Sequence, residues 1–310
     1  MVHRKSLTIA SALAVVAAAV TWLVPDAGLH GSSSSQLMAL PPVDDPKQFS
    51  GEGVFKRLAA TAAEREWEKL PIGELTAAVA MELRGTPYVG ATLELYEDRE
   101  VCSVNLLGLD CVTLFESALG FARMIKRGAP VTPDALLEQV TYTRYRNGRL
   151  TDYTSRLHYT TDWFYDNEQK RVVKVITREL PGAVKFTKKV DFMSTHPASY
   201  KQLKANPDLV PVIAEVEREL NGRNMYYIPK EDVAAMESEL RTGDIIGITT
   251  TINGIDCSHT GLCYRDENGT LRFLHASLDK KEVILDDQLS KYLARVSKHT
   301  GIMVARPIDP

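Results

Sequence analysis

Between Asp110 and Gly128 lies the segment that most limits what this chain can fold into. Val112, Phe115, Ala118, Leu119, Ala122 and Ile125 recur at three- and four-residue spacing, which predicts an amphipathic helix from residue 112 to about 126. Gly128 and Pro130 end it. The stretch "RTGDIIGITTTINGIDCSHTGLCYRDENGTLRFLHASL" (241–278) has a different period: it is rich in β-branched residues and broken by turn signals. It reads as a strand over 244–251, a turn at Asn253-Gly254, a strand over 258–264, a hairpin turn at 266–269 and a returning strand over 271–276. Another helix is expected in "PIGELTAAVAMELRGTPYV" through about Ala80, and one or two more in "NPDLVPVIAEVERELNGRNMYYIPKEDVAAMESELRTGD". The class is α+β, with the Asp110 helix packed on an antiparallel sheet.

That helix begins with chemistry. Asp110 is a good N-cap, so Cys111 takes the first helical position, where unpaired N–H groups and the positive end of the helix dipole favour an anion. A thiolate is such an anion, and the same N–H groups can hold the oxyanion of an acyl-transfer intermediate. The competing reading is a cysteine that simply packs in the core. A nucleophile needs a base, and His259 and His275 stand at the far ends of the two hairpin strands. With the midpoint at residue 267, they fall opposite one another across the ladder. One imidazole can serve Cys111 while the other orients it. A metal site of Cys257, His259, Cys263 and His275 competes, but Cys257, His259 and Cys263 spread along one strand face and no CxxC knuckle is present. His30 and His299 carry no accompanying motif, and His196 falls in a loop.

Composition removes other classes. With 310 residues, a formal net charge of -3 and no long Lys/Arg block, the chain is not built to bind nucleic acid through phosphate neutralisation. His3, Arg4 and Lys5 precede an uncharged, apolar run from Ser6 to Pro25, so residues 1–30 read as an export signal or, uncleaved, as an N-terminal membrane anchor. Residues 31–48 are a Ser- and Pro-rich linker, and 49–310 a single catalytic domain. Disulfides among Cys102, Cys111, Cys257 and Cys263 are compatible with an oxidising compartment, but the spacing is not that of a disulfide scaffold.

The blocks "TPYVG", "LGLDCVTLFE", "TGDIIGI", "SHTGL" and "FLHAS", in this order, resemble those of the NlpC-type cysteine peptidases, a papain-like class. "NLLGLDCVTLFE" together with "SRLHYTTDW" resembles one branch, the N-acetylmuramoyl-L-alanine amidase-like family, over roughly residues 70–306. The resemblance implies a papain-like fold with Cys111 as nucleophile, His259 as general base and acid, and His275 as orienting residue. It makes Tyr88 a neighbour of the nucleophile able to donate to the oxyanion or the substrate. It implies no metal or organic cofactor, and a peptidoglycan or muropeptide substrate cut between N-acetylmuramic acid and L-alanine, in the periplasm or envelope of a bacterium. Arg156, His158, Tyr159, Asp162 and Trp163, within an expected insertion over about 141–230, offer a guanidinium, hydrogen-bonding groups and a stacking face for such a substrate. Three alternatives remain: an endopeptidase acting within the stem peptide, a zinc-dependent amidase, and a non-catalytic wall-binding module.

Overall fold

The computed structural model describes Asp45 and residues 47–310; the expected signal or anchor and most of the expected linker lie outside the described residues. The order is β1 (Phe49–Ser50), α1 (Glu52–Glu64), α2 (Ile72–Glu82), β2 (Val104–Asn105), α3 (Cys111–Lys126), α4 (Pro133–Arg144) and α5 (Thr160–Gln169). Next come β3 (Val173–Val175), β4 (Val184–Lys185), α6 (Phe192–Thr195), α7 (Lys201–Ala205), α8 (Val210–Asn221), β5 (Tyr226–Pro229) and α9 (Lys230–Met236). The chain ends with β6 (Ile245–Thr250), β7 (Cys257–Arg265), β8 (Leu271–Ser277), β9 (Glu282–Gln288), α10 (Leu289–Arg295) and β10 (His299–Pro307).

The main sheet runs β4-β5-β10-β6-β7-β8-β9, with β3 also paired to β10. All its pairings are antiparallel. Two-residue periodicity sorts its side chains between two cores. Ile246, Ile248, Ile302 and Val304 meet Val233, Met236, Leu289 and Leu293 from α9 and α10. Ile245, Met303 and Ala305 point the other way, into the larger core that holds α2, α3 and α4. This two-sided burial explains why "IIGI" reads as an unbroken apolar run. Each such side chain contributes about 1.5–3 kcal/mol when fully buried.

Helix α3 is buried well beyond a single stripe. Leu114, Phe121 and Met124 are buried as fully as the expected Ala118, Leu119 and Ala122, whereas Val112 and Ile125 are only partly covered. The cause is its place in the fold: α2 and α4 flank it, and β7 and β8 lie beneath it. Burial on all sides traps a charge. Glu116 accepts Arg144 Nε at 2.7 Å and Trp163 Nε1 at 3.0 Å, and Arg144 also donates to the Ser103 carbonyl at 2.6 Å. This knot ties α3 to α4, α5 and the segment before the site.

The segment 141–230 contributes to the main sheet. Its strands β3, β4 and β5 extend the main sheet through β10, which pairs with β5 at one end and β3 at the other. "ATLELYEDREVCSVNLLG", strand-like by composition, yields only β2. All four cysteines are free thiols. Among the described residues no helix is long and apolar enough to cross a membrane.

We expect Arg144→Met to cost about 3–5 kcal/mol, because it leaves the Glu116 carboxylate buried without its counter-ion. Adding Glu116→Leu should recover part of that loss, since the pair is then replaced by apolar packing. Urea midpoints at constant slope measure both.

Candidate active site

Cys111 opens α3, as expected, and the cap is reciprocal. Asp110 Oδ1 accepts the N–H groups of Val112 at 3.0 Å and Thr113 at 2.8 Å, while the Asp110 N–H donates to Thr113 Oγ1 at 2.8 Å. This corrects one expectation: the cap consumes two of the N–H groups that an oxyanion would use, leaving that of Cys111. Tyr88 arrives by main-chain pairing. It bridges Leu109 in parallel, with Val89 N–H donating to the Leu109 carbonyl and Leu109 N–H to the Pro87 carbonyl, both at 3.0 Å. Gly108 permits this approach, for a Cβ there would meet the Val89 side chain at 2.6 Å.

From the sheet side, Thr260 Oγ1 donates to the Cys111 carbonyl at 2.7 Å, docking β7 against the start of α3. Strand alternation then turns His259, next in line, to the opposite face. There His259 Nε2 lies 2.7 Å from His275 Nδ1, the two rings nearly perpendicular at 88°. The pairing is diagonal rather than direct. Arg265 pairs with Leu271, so the hairpin midpoint is residue 268, and His275 stands opposite Gly261 in the register. Gly261 leaves room for the Phe273 ring, which an added Cβ would meet at 2.6 Å. Phe273 stacks on His275 at 4.6 Å, and Tyr292 of α10 lies 5.0 Å from His275 and 6.3 Å from His259.

A bulge at Ser258 separates Cys257 from His259. Thr249 pairs with Cys257 but Ile248 with His259, so Ser258 is the extra residue. Cys257 accordingly faces the Gly247 and Thr160 side. The expected common face of Cys257, His259 and Cys263 is thus broken, and among the described residues no cluster of His, Cys, Asp or Glu forms a metal site.

Burial sets the charges. It pushes the Cys111 thiol up to about 11, the Asp110 carboxylate adding to the effect, and the hydroxyl and N–H of Thr260 together with the cysteine's own N–H pull the other way without prevailing. Burial thus opposes the thiolate that the helix start favours. Burial, with His275 and His299 beside it, holds His259 well below the ordinary imidazole range. A neutral imidazole is a proton acceptor at neutral pH. Burial and the Cys111 and Asp110 charges push the Tyr88 phenol up to about 12, keeping it a donor. Burial pushes the Tyr292 phenol up, with Asp286 and Cys111 adding to the effect.

The expected substrate block is placed differently. Arg156, Tyr159, Asp162 and Trp163 are 5%, 6%, 1% and 2% exposed. Arg156 pairs with Glu94 and Glu100, Tyr159 donates to Glu217 at 2.7 Å, Asp162 is clamped by Arg146 and Arg223, and Trp163 serves Glu116. In the structure these four side chains are internal ties, held by protein partners that offset their burial. His158 is half-buried, with Nε2 at 2.8 Å from the Tyr153 carbonyl. Sequence reasoning missed Thr260, Phe273, Asp286, Tyr292 and His299. The alternation in "EVILDDQ", after the turn following β8, was the available signal for Asp286.

A family model described as N-acetylmuramoyl-L-alanine amidase-like matches residues 78–302. The chain is similar to the crystal structure of an N-acetylmuramoyl-L-alanine amidase from Bacteroides uniformis, with 31% identity and a TM-score of 0.70, over 76% of this chain and 99% of that one. It is also similar to a Bacteroides fragilis protein provisionally named a xylanase, with 33% identity and a TM-score of 0.67, over 75% and 99% of the two chains. A Legionella pneumophila protein shares the fold at 20% identity and a TM-score of 0.62, over 83% and 94%. No curated protein matches the chain.

The thiol's elevation has a measurable sign. Alkylation of Cys111 by iodoacetamide, followed on its own peptide by mass spectrometry, should be slow at pH 7 and rise with pH toward about 11. Asp110→Asn keeps an oxygen for the cap while removing the charge, so it should speed alkylation at pH 8 severalfold. Rapid modification at pH 6 would instead reveal a preformed thiolate.

Proposed function

Since the chain belongs to the N-acetylmuramoyl-L-alanine amidase-like family, we propose that it is a cysteine amidase of peptidoglycan or its fragments, cutting the amide between N-acetylmuramic acid and L-alanine. One observation carries this reading: a hydrogen-bonded imidazole pair on β7 and β8 begins at His259, the residue next to Thr260, whose hydroxyl docks the helix start that carries Cys111. The order Cys111, His259, His275 on a helix start and two antiparallel strands also supports membership of the NlpC-type, papain-like class. The carboxylates beside the site are engaged otherwise, Asp110 in the cap and Asp286 with Arg295 and His275. Neither is available for the paired-carboxylate chemistry of glycoside cleavage.

In the proposed mechanism His259 takes the thiol proton as sulfur attacks the amide carbonyl. The Cys111 N–H and the Tyr88 hydroxyl face the developing oxyanion. His259 returns the proton to the departing amine of L-alanine, and water admitted to the same base hydrolyses the thioester to the free lactyl carboxylate. No step calls for a metal or an organic cofactor. Action outside the cytoplasm belongs to the proposal and rests on the charge pattern of residues 3–25.

Incubation with defined muropeptides, followed by mass spectrometry, tests the bond cut. Intact stem peptide and free muramyl sugar are expected from the wild type, with Cys111→Ala and His259→Ala down at least about 1,000-fold. Shortened stems still joined to sugar would instead identify an endopeptidase, and full activity of Cys111→Ala would end the cysteine mechanism.

A further inference from the structure

The hydrogen bonds behind His259 continue past His275. His275 Nε2 lies 3.3 Å from Asp286 Oδ2 on β9. Asp286 Oδ1 in turn accepts Arg295 of α10 at 2.7 Å and the Asp287 N–H at 2.6 Å. Resting on the cysteine-amidase reading, we infer that Asp286 is a positioning residue that selects the tautomers of both imidazoles and leaves His259 Nδ1 as the atom that takes the thiol proton.

The selection follows from donor and acceptor inventories. An ionised carboxylate only accepts, so the contact to Asp286 requires the His275 proton on Nε2. A neutral ring protonated there has its lone pair on Nδ1. The 2.7 Å contact to His259 Nε2 then needs a donor, which places the His259 proton on Nε2. The only lone pair left on His259 is at Nδ1. A single proton thus shuttles from Cys111 Sγ to His259 Nδ1 and on to the departing amine, and the transient imidazolium is faced through His275 by the Asp286 charge.

The surroundings hold this arrangement. Strand β9 bulges at this point: Arg272 pairs with Gln288 and Leu274 with Leu285, so Asp286 and Asp287 together oppose Phe273. A bulge re-aims side chains and is frequent beside active sites. The His275 ring stacks on Phe273, Tyr292 closes a three-ring cluster against both, and His275 is 1% exposed, so it has no room to turn over. The titratable groups around it are His259 from β7, Asp286 from β9, Tyr292 and Arg295 from α10, and His299 from β10, with Cys111 at the head of α3. Burial works against the Asp286 charge, but the donors from Arg295, Asp287 and His275 hold this carboxyl below the usual range.

Long-range 1H–15N correlation on the 15N-labelled protein reads the tautomers without any substrate. Both His259 and His275 are expected protonated at Nε2 in the wild type and mixed in Asp286→Asn. With muropeptide substrate, Asp286→Asn should lower kcat about tenfold to a hundredfold, with KM within about twofold. Loss of the negative charge should also move the acid limb of the pH profile to lower pH, because the His259 imidazolium is less stabilised and the base stays neutral further into acid. Asp286→Glu should restore part of the rate. Wild-type tautomers and kcat in a folded Asp286→Asn protein would overturn the assignment. Should that variant fail to fold, Arg295→Gln, on a half-exposed side chain, is read by the same spectrum: altered His275 nitrogen shifts support the assignment and unaltered ones overturn it. A wild type with ordered tautomers but no amidase activity would refute the amidase reading and leave the positioning role standing.

Discussion

The buried carboxylate of Glu116 organises this molecule. A charge inside a helix that is covered on every side is tolerable only if its counter-ion and hydrogen-bond donors arrive in fixed geometry. Arg144 and Trp163 provide these, and in doing so they lock α4 and α5 onto α3. Phe115 packs edge-on against the same Trp163 at 5.0 Å, so apolar and ionic contacts agree on one placement. With α3 immobile against β7 and β8, its first residue is delivered to one end of β7. Site geometry is thus a consequence of core geometry.

The same burial tunes the chemistry. Desolvation raises the thiol and lowers the imidazoles, so both partners rest uncharged, and the helix start does not by itself make a thiolate. A neutral pair is a workable resting state, since the proton need move only when the carbonyl is in place. What the pair then requires is direction. The Asp286 bulge, the packing of Phe273 and Tyr292 against His275 and the missing side chain at Gly261 all act on the orientation of the two rings.

The block from Arg156 to Trp163 carries a different lesson. Its polar side chains look too costly to hide, yet ion pairs and hydrogen bonds to Glu94, Glu100, Glu217, Arg146, Arg223 and Glu116 absorb them. Arg156 also reaches the Leu93 carbonyl, so the tie holds down the chain that leads away from Tyr88. The block is thereby tied into the protein interior.

The local features were legible in the sequence. Helix α3, strands β6 to β8 and the Asp110 cap follow from backbone periodicity and short-range hydrogen bonding, which a few neighbouring residues decide, while the ordered blocks around Tyr88, Cys111, His259 and His275 are what the family resemblance rests on. Tertiary structure alone decided the rest. The hairpin register moved His275 from opposite His259 to its diagonal, and the Ser258 bulge turned Cys257 away. The third strand brought Asp286 behind the imidazoles, and the polar block went inward. These outcomes, like the charge state of Cys111, are sums over partners distant in the chain. Desolvation and counter-charge belong to the packed environment and have no local signature.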